Sequence, residues 1–391
     1  MSQFDARLAQ PRTLEELKFE VIERVKSSGY PGRGMRLEDA EAALSLITSL
    51  DPDIWAAAWM VRADQLMDQA AKARDKASSR DLYRAAYATY TMGRFPAPTS
   101  EGKQKSYEKG LDAYKGYTDT LDAPLEIVRI PFEAKEIVGY LRKPRGEGSF
   151  PLMVQCGGLD YLKEQIADEA FLFTPHGIAV FAVDMPGTGQ APILADVGSE
   201  RMFSTIFDWA ESRPDLDGSK MFMRGVSWGG HWATRVAFAE KDRILGANNH
   251  GGSVHNFFTP EWQLKALGTR EYLMDLFGAR AKIFGVTDLD EFLEYGPRMS
   301  LLHGDQIDGR CAPMLVANGV LDSQVPIADQ ILLLTRGDAK DGWINPKGMH
   351  MGFGGGWTAA RYDNEVLIPW LKKRMTIGKV EAANGANIYG N

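Results

Sequence analysis

The 391 residues include 45 Lys and Arg against 52 Asp and Glu, a formal charge of −7, with 44% hydrophobic and 25% charged residues. That balance is ordinary for a globular chain and offers no basic face to a phosphate backbone, which argues against nucleic acid as a partner. Residues Met1 to Glu20 carry no apolar h-region and no uninterrupted apolar run approaches ~18 residues, so no membrane partner is expected and cytoplasm is the default compartment.

The first third is helical by pattern. Asp51 and Pro52 supply an N-cap and an N1 proline, and no breaker interrupts the run from Ile54 to about Ala77. A second helix starts near Ser79 with Tyr83, Tyr87 and Tyr90 on one face, and Gly93 and Phe95-Pro96-Ala97-Pro98 end it. The tyrosine stripe reads as helix-on-helix packing rather than cavity lining. A third helix runs from about Ser100 to Leu121, so residues 1–122 form an N-terminal helical domain that contributes to a substrate pocket.

From Leu125 the period changes. Leu125 to Phe132 and Glu136 to Leu141 alternate as an exposed-edge hairpin does. Short apolar runs then alternate with helical stretches: Met153 to Cys156, Ile178 to Val183, Met221 to Arg224, Leu245 to Asn248, Met314 to Ala317 and Gly342 to Asn345. Such alternation makes a mostly parallel sheet with right-handed crossovers, an α/β class. The sheet core takes residues 123–250 and 311–376. Between them, residues 251–310 form a helical, aromatic-rich insertion with Phe257, Phe258, Trp262, Tyr272, Phe277, Phe284, Phe292 and Tyr295. That insertion reads as a cap that closes an apolar pocket of the kind that binds small organic molecules. Residues 377–391 read as a weakly structured tail.

Three motifs carry chemistry. Gly225-Val226-Ser227-Trp228-Gly229 lies between an apolar run and a helical pattern, the setting of a nucleophile elbow on a tight strand-to-helix turn. Asp322 follows the run Met314 to Leu321, and His350 stands in the glycine-flanked loop Gly348 to Gly352. The order Ser, Asp, His is that of an α/β-hydrolase fold with a helical cap. A serine hydroxyl is a feeble nucleophile at neutral pH, so an imidazole must take its proton and a carboxylate must hold the imidazole's tautomer. Those roles fall to Ser227, His350 and Asp322. The oxyanion needs fixed donors, for which the Trp228 N–H and the N–H of Gly158 or Leu159 are candidates. Asp184, at the head of Asp184-Met185-Pro186-Gly187, is too early in the chain for the triad acid and reads as structural.

The other histidines and the thiols have weaker claims. His231 follows the elbow on its helix and reads as packing against the sheet. His250 and His255 lie at the floor of the cap and are candidates for substrate contact together with Phe257, Trp262 and Tyr161. No carboxylate or cysteine sits at ligand spacing with the two histidines, so no metal and no cofactor are expected. Cys156 and Cys311 lie in separate strands without a pair motif, which fits a reducing compartment.

Arg84-Ala85-Ala86-Tyr87 leading to Phe95-Pro96, then Gly157-Gly158-Leu159-Asp160 with Lys163-Glu164, then Gly225 to Gly230 resemble one branch of these hydrolases. It is the family of the fermentation-respiration switch protein, 2,6-dihydroxypseudooxynicotine hydrolase and fungal pigment-pathway enzymes that shorten polyketides. Tyr161 stands where such loops carry Ser or Thr. The resemblance implies cleavage of a carbon–carbon bond next to a ketone in an aromatic or polyketide-like small molecule, and a homodimer. A carboxylesterase acting on small esters is the alternative, and a catalytically idle binding protein of the same fold is a third reading.

Overall fold

The computed structural model describes residues 7–378 apart from residues 9 and 124 and the side chains of residues 304 and 305. The expected tail therefore lies outside the described residues from 379 onward, and Ile377 closes the last helix.

Five helices come first: α1 (Leu14–Lys26), α2 (Leu37–Ser45), α3 (Pro52–Lys72), α4 (Lys76–Arg94) and α5 (Glu101–Asp119). Asp51 caps α3 through the N–H groups of Asp53 and Ile54, with Pro52 in the first turn. The expected run to Ala77 breaks earlier, at Lys72. Asp75 causes the break: its Oδ1 accepts from the Ser78 N–H at 2.8 Å and its Oδ2 from the Ser78 hydroxyl at 2.7 Å, starting α4 afresh. The tyrosine stripe packs helix on helix. Tyr90 is buried, Tyr87 meets Tyr114 with ring centroids 5.1 Å apart, and Tyr83 lies against Gly116.

The sheet has eight strands in the order β1-β2-β4-β3-β5-β6-β7-β8. They are β1 (Glu126–Phe132), β2 (Lys135–Arg142), β3 (Phe150–Cys156), β4 (Ala179–Val183), β5 (Leu216–Val226), β6 (Gly246–His250), β7 (Met314–Gly319) and β8 (Asp341–Asn345). Pairings from β4 through β8 are parallel, while β2 pairs antiparallel with both β1 and β4. Only β1 of the expected edge hairpin is an edge, because β4 takes up the other side of β2. Strands β3, β4, β6 and β7 and the half of β5 from Met221 onward are almost wholly buried, as expected when helices cover both faces.

Helices α6 (Lys163–Glu169), α7 (Arg201–Glu211), α8 (Gly229–Ala239), α12 (Ile327–Thr335), α13 (Ala359–Tyr362) and α14 (Ile368–Ile377) alternate with the strands. Between β6 and β7 lie α9 (Pro260–Leu267), α10 (Leu276–Phe284) and α11 (Leu289–Tyr295). Phe257, Phe258, Phe284 and Phe292 of this insertion join the main core beneath it rather than standing free. Among the described residues no helix is long and apolar enough to cross a membrane.

Candidate active site

Ser227 lies between β5 and α8 at φ +57°, a left-handed conformation that costs a non-glycine residue about 1 kcal/mol or more. Neighbours hold it there. Its N–H donates to the His250 carbonyl at 2.8 Å, and its own carbonyl accepts from the Gly230 N–H at 2.8 Å. The turn tolerates no side chain beside it: a Cβ on Gly225 would fall 1.9 Å from the Gly229 carbonyl oxygen, and one on Gly229 would fall 2.3 Å from that of Gly157.

Three loops at the carboxyl ends of β5, β7 and β8 bring Ser227, Asp322 and His350 together. His350 Nε2 lies 2.8 Å from Ser227 Oγ and its Nδ1 lies 2.7 Å from Asp322 Oδ2. Asp322 is held in turn. Its Oδ1 accepts from the N–H groups of Gln324 at 2.7 Å and Val325 at 3.0 Å, and its Oδ2 also accepts from Asn318 Nδ2 at 2.8 Å. Burial alone would push the Asp322 carboxyl up. The facing His350 and these hydrogen bonds outweigh it and hold the group below the usual carboxylate range. Burial likewise opposes an imidazolium at His350, yet the charge and hydrogen bond of Asp322, with smaller contributions from Glu271 and Asp160, raise its pKa above the ordinary value.

Behind the serine, a Cβ on Gly158 would sit 2.8 Å from Ser227 Cβ and 3.3 Å from the Trp228 nitrogen, so the loop after β3 passes directly over the elbow. The N–H groups of Gly158, Leu159 and Trp228 find no acceptor among the described residues. They are donors available to an oxyanion. The Trp228 ring is buried and meets Phe257, Phe284 and Phe258 with centroids at 5.1, 5.7 and 6.2 Å.

Two of the five candidate substrate contacts are buried among protein side chains. His250 is fully buried, with its ring stacked on Tyr362 and its Nε2 bonded to the Met351 carbonyl. Phe257 is buried between Trp228 and the Arg280 guanidinium. The other three are half-buried. His255 Nδ1 lies 2.8 Å from Ser300 Oγ, the Trp262 indole donates to the Gln324 carbonyl at 3.1 Å, and the Tyr161 hydroxyl donates to Glu169 Oε1 at 2.9 Å. A cleft of about 860 Å³ runs between Pro98, Thr188, Pro192 and Lys282, and none of Ser227, Asp322 and His350 lines it.

The residues set aside as structural have partners. Arg235 Nε donates to His231 Nε2 at 2.9 Å, and His231 Nδ1 lies 3.1 Å from the Ser253 carbonyl. Asp184 accepts from the Lys163 and Gln190 N–H groups and pairs with the buried Lys163 ammonium at 3.0 Å. Burial first, and the Asp184 charge second, raise the Cys156 thiol far above its ordinary pKa, leaving no thiolate at neutral pH.

The motif Gly157-Gly158-Leu159-Asp160 ends in a carboxyl to which sequence reading gave no role, and its charge acts on His350. Asp160 is 7% exposed, and its Oδ2 has no hydrogen-bond partner among the described residues. Burial pushes its carboxyl up to about 6, against the pull of Arg94 and of the Tyr30 and Tyr272 hydroxyls. Its main-chain carbonyl accepts from the Tyr30 hydroxyl at 3.0 Å and from Arg94 Nη2 at 2.9 Å. Tyr30 comes from the α1–α2 loop and Tyr272 from the cap, so spacing along the chain gave no signal for the cluster. Among the described residues no group of three or more His, Cys, Asp and Glu is placed to hold a metal ion.

A family model described as "Esterase FrsA-like" matches residues 41–357. The chain belongs to that family. Among its relatives, the alpha/beta hydrolase xenA of Xenoacremonium sinensis is 27% identical over 239 residues, 55% of this chain and 55% of that protein. Esterase FrsA of Photobacterium profundum is 23% identical over 256 residues, 63% of this chain and 60% of that one. The matched region thus spans little more than half the length of these relatives. Two solved structures share the fold of this family member along nearly its whole length. The 2,6-dihydroxy-pseudo-oxynicotine hydrolase superposes with a TM-score of 0.72 at 19% identity, covering 93% of this chain and 97% of that one. AbyA5 gives 0.70 at 20% identity, covering 94% of each.

Proposed function

We propose that this chain is a serine hydrolase that cleaves a carbon–carbon bond next to a ketone in an aromatic or polyketide-like small molecule. The hydrogen-bonded run from Ser227 Oγ through His350 to Asp322, at 2.8 and 2.7 Å, carries the reading. Ser227 Oγ attacks the carbonyl carbon as its proton passes to His350 Nε2, and the N–H groups of Trp228 and the Gly158-Leu159 loop receive the oxyanion. Collapse breaks the bond to the leaving carbon. That carbon takes its proton from the imidazolium, which an arene or enolate fragment makes feasible by holding the electron pair. Water activated by the neutral His350 then releases the acid from the acyl-enzyme and restores Ser227.

The carbon–carbon reading draws on the hydrolase whose substrate, 2,6-dihydroxy-pseudo-oxynicotine, is in its name, and on the aromatic side chains of the cap. Ester hydrolysis is the second reading, favoured by the family's description as esterases. It follows the same steps with an oxygen leaving group. A fluorophosphonate probe tests the common part: labelling of Ser227 is expected, and an unlabelled serine would favour the binding-protein reading. A panel of acylphenols beside p-nitrophenyl esters separates the two reactions, and rapid ester turnover without ketone cleavage would overturn the first. The homodimer implied by the resemblance is likewise a proposal, and a monomer mass by light scattering would refute it.

A further inference from the structure

The triad joins two backbone segments from distant parts of the chain, the strained Ser227 turn and the loop that carries His350. One residue is bonded to both. His250, the last residue of β6, accepts the Ser227 N–H through its carbonyl at 2.8 Å and places its ring Nε2 2.8 Å from the Met351 carbonyl oxygen. A carbonyl only accepts, so Nε2 bears the proton. The buried Nδ1 has no partner among the described residues, and a proton there would be a donor with no acceptor. Burial, and then the Arg224 charge, push the ring's pKa down to about 3, so it stays neutral with a fixed tautomer.

The ring cannot swing away. It stacks on Tyr362 with centroids 4.0 Å apart and meets Phe353 edge-on at 5.5 Å, and the Tyr362 hydroxyl accepts from Asn248 Nδ2 at 3.1 Å. Met351 needs such support. It follows His350 directly and lies at φ +60°, a conformation that a non-glycine residue keeps only when its neighbours hold it. The residue after His250, Gly251, packs on it as well: a Cβ there would stand 3.0 Å from Met351 Cγ.

We infer that His250 is a positioning residue that sets the distance between the Ser227 hydroxyl and the His350 imidazole, holding the nucleophile turn by its carbonyl and the base loop by its Nε2–H. The inference rests on Ser227 and His350 being nucleophile and base. His250 touches no substrate and transfers no proton. A displacement of about 1 Å between reacting groups costs on the order of 10²-fold in rate, so a donor at this point governs turnover without governing affinity.

Gln and Met have nearly the same length and shape, and only Gln offers a nitrogen donor near the place of Nε2. Fluorophosphonate labelling and steady-state turnover are therefore compared for wild type, His250→Gln and His250→Met, each checked for a native melting transition. Wild-type labelling tests the underlying reading by itself, and its absence would remove that reading. Given labelling, His250→Met is expected to lose roughly 10²-fold in labelling rate and kcat at little change in KM, while His250→Gln recovers most of it. The pH profile adds a readout that mere loss of packing does not move. With the loop released from Asp322, and with Glu271 and Asp160 as the other acids facing the ring, the acidic limb set by His350 shifts to lower pH in His250→Met and not in His250→Gln. Equal labelling rates for the two folded variants, or equal losses with an unmoved limb, would overturn the inference. Should the Met variant not fold, His250→Gln decides: a loss as deep as roughly 10²-fold in that variant refutes the role of the donor.

Discussion

At the scale of single residues the site is an arrangement of opposed pKa values. Asp322 is pulled down and His350 raised, so the pair is held ready for an imidazolium between carboxylate and substrate. With His350 as the proposed base, which must be neutral to act, activity is expected above the raised His350 pKa and is expected to be lost as the pH falls through it. Asp322→Asn removes the charge and the tautomer control, and kcat is expected to fall by roughly 10⁴-fold while the acidic limb of kcat/KM moves to lower pH. An unmoved limb measured on the residual activity would show that another group sets it. Asp160 has the opposite sign to Asp322. Its carboxyl is raised to about 6 by burial, so it favours the fold while protonated and costs stability as the pH rises past its unfolded value through about 6. Asp160→Asn is therefore expected to stabilise by about 2–3 kcal/mol at pH 8 and by nearly nothing at pH 4. Melts of both proteins at the two pH values read the difference directly, and equal shifts would refute the burial argument.

At the scale of elements the cap is fastened to the sheet by buried polar side chains as well as by the apolar residues of its helices. Asp329, on α12, is fully buried and accepts from the N–H groups of Val254 at 2.8 Å, Asn256 at 2.6 Å and Phe257 at 3.2 Å. Arg280, on α10, donates to Gln263 Oε1 at 2.8 Å and to Gln324 Oε1 at 3.0 Å, which ties the cap to the loop of Asp322. Asp329→Ala leaves three main-chain donors without their acceptor. The expected cost is about 3 kcal/mol. Urea unfolding measures it, and a loss under about 0.5 kcal/mol would place the anchoring elsewhere.

Across the whole molecule the site lies where three layers meet. The segment around Tyr272 runs from the cap into the N-terminal helices: Leu273 packs in the core of α1 to α3, the Arg12 side chain donates to the carbonyls of Tyr272 and Leu273, and Arg24 donates to that of Glu271. Farther along, the buried Lys103 of α5 pairs with Asp275 at 3.2 Å. These links join the N-terminal layer to the cap, so a substitution far from Ser227 is expected to loosen the cap. Leu273→Ala is expected to cost about 2–4 kcal/mol within that layer. Hydrogen exchange in residues 269–284 should rise and KM increase, with Ser227 labelling unchanged. Unaltered exchange in that segment would refute the coupling.

Much of this was written along the chain. Hydrophobic periodicity marked α3 to α5 and all eight strands, since each run had only to match a local repeat, while α1 and α2 were not placed. Ser227, Asp322 and His350 were legible for a related reason: glycines at the elbow and strand ends before the acid and the base are local requirements of the chemistry. The break expected after Ala77 falls a few residues earlier, around Asp75, because a capping carboxylate outweighs a helical pattern that runs on to Ala77. His250, Asp160, Tyr30 and Arg280 carry no such local signature. Their roles follow from which strand lies beside which and from how deeply each group is buried, and hydrogen bonds and desolvation between residues far apart in the chain exist only once the layers have packed.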